Sequence, residues 1–149
     1  MEVGATMAEI KIRLVLVDPP VNVAFGIQKG RGAKYETVLV QLGGRSDLRF
    51  DFTLELKSMS GAPNFVGPFA QGPVSDRFVY VGVGTFAGQK DSPWSRRIKI
   101  PLSGITETLV REVLSKPGQR LVARIPGTGR DGTPSCATTR ILDAWKVVP

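Results

Sequence analysis

Polar and apolar residues alternate one by one along "LRFDFTLELK". Phe50, Phe52, Leu54 and Leu56 fall on one face, and Arg49, Asp51, Thr53, Glu55 and Lys57 on the other. A period of two is that of a strand with one face buried and one wet. "EIKIRLVLV" repeats it, with Ile10, Ile12, Leu14 and Leu16 inward, and stops at Asp18-Pro19-Pro20, where proline removes the ladder donor. "RFVYVGVGTF" is rich in aromatic and β-branched residues. Its Gly82 and Gly84 share a face with Phe78, Tyr80 and Phe86, a sign of a bend or a close backbone approach. Further strands are expected over Val21 to Ile27, Glu36 to Leu42, Arg96 to Leu102, Arg120 to Ile125, Cys136 to Ile141 and Ala144 to Val148. Gly43-Gly44 opens a short loop between two of these, so Glu36–Leu42 and Leu48–Lys57 are expected to pair as an antiparallel hairpin.

One segment has helical spacing. In "GITETLVREVLSKPG" the apolar residues Ile105, Leu109, Val110, Val113 and Leu114 recur at three and four. Thr106 suits the N-cap, Ile105 with Val110 suits a hydrophobic staple, and Pro117-Gly118 ends the helix. Ser58 to Asp76 has no clear period and reads as a long loop, whose Phe65, Val66 and Phe69 must fold back over the domain to leave water. Many strands with one amphipathic helix make the chain mainly β. The expected fold is a single-domain β-barrel or β-sandwich of about eight strands, the helix covering an opening or an edge. Residues 9–149 form that domain and residues 1–8 a frayed extension, with Met7 an alternative start.

A chain of 149 residues can bury a core without disulfides or metals, and the single Cys136 cannot form an internal bridge. The longest early apolar run, Leu14 to Val17, is too short for a signal peptide or a membrane span, so the cytoplasm is the default location. There is no histidine. This excludes Ser-His-Asp and Cys-His catalysis and imidazole metal sites, and no metal or cofactor is expected. Asp51 and Glu55 share the wet side of a strand, where a solvated pair explains them better than a catalytic one. Cys136 reads as a buried residue at the start of a strand.

The net charge of +7 is uneven. Residues 1–76 carry eight Lys/Arg and eight Asp/Glu, residues 77–130 carry ten and three, and residues 131–149 two and two. Such a block favours an anionic ligand or partner, or serves solubility alone. "FGIQKGRGAKY" combines glycines with Lys29, Arg31 and Lys34, but it does not fit the phosphate-loop register, and a strand rather than a helix follows it. "GTGRDG" matches G-x-G-x-x-G, yet only 17 residues (149 − 132) follow Gly132, too few for a dinucleotide fold. What remains is an anion nest of backbone amides completed by Lys29, Arg31, Lys34 and Arg130, with solvated surface turns as the alternative. In "SPWSRRIKIP", Trp94 beside Arg96 and Arg97 gives charge with a stacking surface, although no nucleic-acid-binding motif accompanies it.

The phrases "FGIQKGRG", "GPFAQGP", "RFVYVGVGT", "SPWSRRIKIPL" and "PGTGRDG" resemble those of a family of small bacterial proteins catalogued as a domain of unknown function. The likeness runs from about Ile10 to Val148. It implies a stand-alone soluble bacterial domain and carries over no catalytic or binding residue. The sequence is therefore read first as a non-catalytic binder of an anionic ligand through Lys29, Arg31, Lys34, Arg96, Arg97 and Arg130. The alternative is an interaction or homo-oligomerisation module that pairs through exposed strand edges. An enzyme comes third, with Tyr35, Glu36, Asp131 or Cys136 as the groups available.

Overall fold

The computed structural model describes residues 8–17, 23–28, 35–40, 47–85, 96–126 and 145–149. Nine strands among them form two sheets. The five-stranded sheet has the order β5-β4-β1-β8-β9, built from β1 (Ala8–Val17), β4 (Leu48–Ser60), β5 (Ala62–Val66), β8 (Arg120–Pro126) and β9 (Lys146–Val148). The four-stranded sheet has the order β3-β2-β6-β7, from β2 (Val23–Gln28), β3 (Tyr35–Val40), β6 (Phe78–Thr85) and β7 (Arg96–Pro101). The sheets do not close on one another, so the expected barrel-or-sandwich resolves to a sandwich.

β1 is the central strand of the larger sheet. It pairs antiparallel with β4 from Ala8 opposite Leu56 to Leu16 opposite Leu48, and parallel with β8 from Ile12 opposite Leu121 to Val17 opposite Pro126. Its alternation holds throughout: Ile10, Ile12, Leu14 and Leu16 are buried, and Lys11, Arg13 and Val15 face outward. Phe50, Leu54 and Leu56 of β4, with Leu121, Ala123 and Ile125 of β8, extend the same inner layer. Opposite it lie Phe25 and Ile27 of β2, Val79 and Val81 of β6 and Ile100 of β7, all in one core cluster. In β6 Val79 and Val81 face inward, leaving Phe78 and Tyr80 half-buried on the outer face. Gly82 meets Gly26 across the β2–β6 pair, with both residues buried.

The helix α1 (Glu107–Leu114) lies where the sequence places it. Thr106 caps it by accepting from the Leu109 amide at 3.3 Å, and Ile105 and Val110 are both buried as a staple. Val110 and Val113 join the core, and α1 packs against β1, β5, β8 and β9. Leu114, expected on the apolar face, is 45% exposed because it lies on the flank of the helix that neither sheet covers. Gly104, just before the helix, leaves room for Trp145: a β-carbon there would stand 3.0 Å from the indole Cδ1.

Two expectations are corrected. Glu36–Leu42 and Leu48–Lys57 do not form a hairpin, since β3 pairs with β2 and β4 with β1 and β5. Gly43 and Gly44 lie outside the described residues. The strands that flank residues 29–34, β2 and β3, are the ones that pair antiparallel. The long loop from Ser58 to Asp76 in turn contains β5, paired to the end of β4 across Gly61, whose φ is 85°. Pro63 and the flanking glycines hide that strand from a periodicity count. The apolar side chains behave as expected: Phe65 is 1% exposed, and Phe69 packs on Phe52 with ring centroids 5.1 Å apart. The Cys136–Ile141 segment lies outside the described residues.

Phe50→Ala should cost about 3–5 kcal/mol, the range for deleting a buried aromatic side chain, and Thr106→Ala about 1 kcal/mol, the range for a lost cap. Urea unfolding of the two variants checks both values; equal losses would contradict this core.

Candidate functional site

The alternation that buries one face of the larger sheet loads its other face with cations. Because β4, β1, β8 and β9 are adjacent, outward positions from distant parts of the chain stand in rows. Asp51, Arg13, Val122 and Lys146 form one row, and Arg49, Val15 and Arg124 the next. Lys11 and Arg120 continue the face toward the helix end of the sheet. Neighbouring strands lie about 4.8 Å apart and residues rise about 3.3 Å along each, so these groups share a patch roughly 14 Å across.

Asp51 is the carboxylate at the centre. Arg13 donates to it twice, from Nε at 2.7 Å and from Nη2 at 3.0 Å, the fork geometry that guanidinium and carboxylate share. The Nη1 of Arg120 approaches the second oxygen at 3.6 Å, while its Nε is buried with no hydrogen-bond partner. The Asp51 carboxyl is held below its ordinary range chiefly by the Arg13 hydrogen bond; burial opposes this as the next effect in size, and the fields of Arg13, Arg120 and Arg49 add lesser lowerings. Arg13 is raised in turn by its bond to Asp51.

One carboxylate cannot balance this patch. Lys11, Arg13, Arg49, Arg120 and Lys146 carry five positive charges against the one of Asp51, and Arg124 stands beside Val15 with an interaction of its own. Lys11, Arg49 and Lys146 are exposed and form no ion pair with a described residue. Separations here are comparable to the Debye length of about 8–10 Å at physiological salt, so the cations act on an approaching anion together. Toward α1 the sign changes, with Glu9 opposite Glu55 across the β1–β4 pair. A recess of about 180 Å³ adjoins that end, lined by Glu9, Lys11, Lys116 and Gln119, whose Oε1 is buried without a partner.

Of the site residues singled out in the sequence, Arg96 and Arg97 lie on β7 of the other sheet. Lys29, Arg31, Lys34 and Arg130 fall outside the described residues, as do Asp131 and Cys136. Arg96 and Arg97 open β7 opposite Val83 and Gly82, and Tyr35 begins β3 opposite Gln28, with none of their side chains among those described. Sequence reasoning missed Arg13, Arg49, Arg120 and Lys146 as a group. Each sits at an outward position of a strand that was recognised, and only the strand order brings them together. Among the described residues no group of three acidic or cysteine side chains is placed to hold a metal ion, and no helix is long and apolar enough to cross a membrane.

Residues 10–148 match the model of a family of unknown function, DUF5990, and the chain belongs to that family. No curated protein and no solved structure matches it.

Asp51 is more acidic in the folded chain than its unfolded value of about 3.9, so its contribution to stability is present above that value and lost as pH falls through the lower folded one. Asp51→Asn should therefore be less stable than wild type at pH 6, by up to about 1 kcal/mol for so exposed a pair. The difference should shrink as pH falls below about 4 and be lost once pH has passed through the lower folded value. Urea midpoints across that range test it, and a pH-independent difference would contradict the ion-pair assignment.

Proposed function

We propose that this domain is a non-catalytic binding module for an extended polyanion, which it engages through the outer face of the five-stranded sheet. The observation that carries this reading is the excess of Lys11, Arg13, Arg49, Arg120 and Lys146 over Asp51 on adjacent strands. Geometry separates an extended anion from a small one. Cations spread over roughly 14 Å of open sheet cannot converge on one phosphate, whereas a chain of charges meets several of them at once.

The polyanion is recognised by charge more than by shape. The outward positions of β1, β4, β8 and β9 hold no aromatic side chain on which a base could stack; Val15 and Val122 fill the spaces between the cations. A polymer with a repeating charge, such as a polyphosphate or an acidic polypeptide stretch, fits this surface better than a particular base sequence does. Arg13 and Arg120, held by Asp51, supply fixed charge, and the exposed Lys11, Arg49 and Lys146 adapt to the ligand.

Polyphosphate should bind with an affinity that falls steeply with salt, as counterion release requires. Arg49→Glu combined with Lys146→Glu should weaken it at least tenfold and flatten the salt dependence, with the thermal midpoint unchanged because both side chains are exposed. Fluorescence anisotropy with labelled polyphosphate at several salt concentrations measures this. Unaltered affinity in the double variant would remove the sheet face from consideration.

A further inference from the structure

We propose that Arg77 heads a second and separate binding pocket, one that takes the carboxylate of a small apolar acid. The pocket lies on the open side of the sandwich, between β5 at the edge of one sheet and the end of β7 at the edge of the other. Its volume is about 160 Å³. Ala62, Pro63 and Val74 present its apolar surface, and Ser75, Ser103 and Arg77 supply the polar groups.

Arg77 is tethered and yet incompletely used. Its Nη1 donates to the Gly72 carbonyl, and its own carbonyl accepts from the Leu102 amide at 2.9 Å. Gly72 is fixed in that role: its φ is 86°, and a β-carbon would come within 2.5 Å of the Phe78 ring. The Arg77 Nε is buried with no hydrogen-bond partner. A guanidinium has only donors to offer, so one that is partly withdrawn from water without a counter-charge is complemented by an anion in the pocket that Arg77 lines. The nearest acid in sequence is already taken, because the Asp76 carboxylate lies 3.3 Å from the Lys99 ammonium, which also sits 4.5 Å from the centre of the Phe78 ring. Arg77 forms no ion pair with a described residue.

Size and wall chemistry define the ligand. Nucleotides and drug-sized molecules need roughly 300–1,000 Å³, whereas a dry cavity of about 150 Å³ holds one benzene ring. A single ring or branched aliphatic group therefore fills the apolar part, its carboxylate facing Arg77 with the two serine hydroxyls at hand. Val74, 62% exposed at the rim, would lose water on binding. A free aromatic or branched-chain acid has this chemistry, and so does the terminal residue of a peptide.

The test is a titration followed in ¹H–¹⁵N spectra at the Arg77 Nε–H. The ligands are benzoate, its neutral isostere benzamide, isovalerate, and acetyl-Ala-Ala-Leu as the acid and as the amide. Benzoate should shift the Arg77 resonance and bind at least tenfold more tightly than benzamide. Binding should be lost in Arg77→Gln and also in Ser103→Phe, which fills the pocket from an exposed position and keeps the wild-type thermal midpoint. Tighter binding of the peptide acid than of isovalerate identifies a chain terminus as the source, and the reverse order a free acid; either supports the pocket. Equal binding of benzoate and benzamide, no response at Arg77, or full binding by a folded Ser103→Phe would overturn it. Polyphosphate binding on the opposite side of the larger sheet is independent of each of these outcomes.

Discussion

The side chains of β1 alternate without a break from Glu9 to Leu16, and both faces of the five-stranded sheet take their positions from that alternation. Ile10, Ile12, Leu14 and Leu16 are each worth about 1.5–3 kcal/mol in burial, and they anchor the centre of the core. A slip of one residue against β4 or β8 would send Lys11 and Arg13 inward and expose all four. The register is thus fixed by the core, and the cationic outer face follows from it. Arg13 meets Asp51 and comes beside Arg120 because Leu14 must meet Phe50 and Ala123.

The crowding of cations has a modest energetic cost, moderated by the one carboxylate among them. Arg13, Arg49 and Arg120 all act on Asp51, whose charge screens their mutual repulsion while leaving the patch positive. Surface ion pairs of this kind stabilise a fold by about 0–1 kcal/mol, far less than the core contributes. Their weight falls on the potential outside the protein, which in the proposed function is what draws in and orients an anionic chain. The Arg77 pocket uses the same side chain in the opposite way. One guanidinium, partly withdrawn from water and fixed by a backbone carbonyl, favours a single carboxylate attached to an apolar body.

Much of the fold was legible in the sequence because the interior of a sandwich requires period-two strands. "EIKIRLVLV" and "LRFDFTLELK" announced their buried faces residue by residue, and Thr106, Ile105 and Val110 announced the start of the helix. Strand partners were not legible. The β1–β8 pairing joins residues more than a hundred positions apart, and nothing in local alternation says which strands will be neighbours. The charge count by sequence block misleads for the same reason: Lys11, Arg13 and Arg49 come from the balanced first half of the chain, Arg120 from its basic middle and Lys146 from its end. Arg77 escaped notice because its character depends on the turn at Gly72, a tertiary feature, and on an edge strand that Pro63 disguises.

The central claim is that anion binding belongs to the sheet face set by β1, and a titration of ¹⁵N-labelled protein with polyphosphate tests it most directly. The account predicts that the perturbed amides cluster at residues 11–15, 49–53, 120–124 and 146–148, on four adjacent strands. Perturbations confined to residues 29–34 and 127–133, with those strands unchanged, would contradict it and return the binding function to the glycine-rich connections.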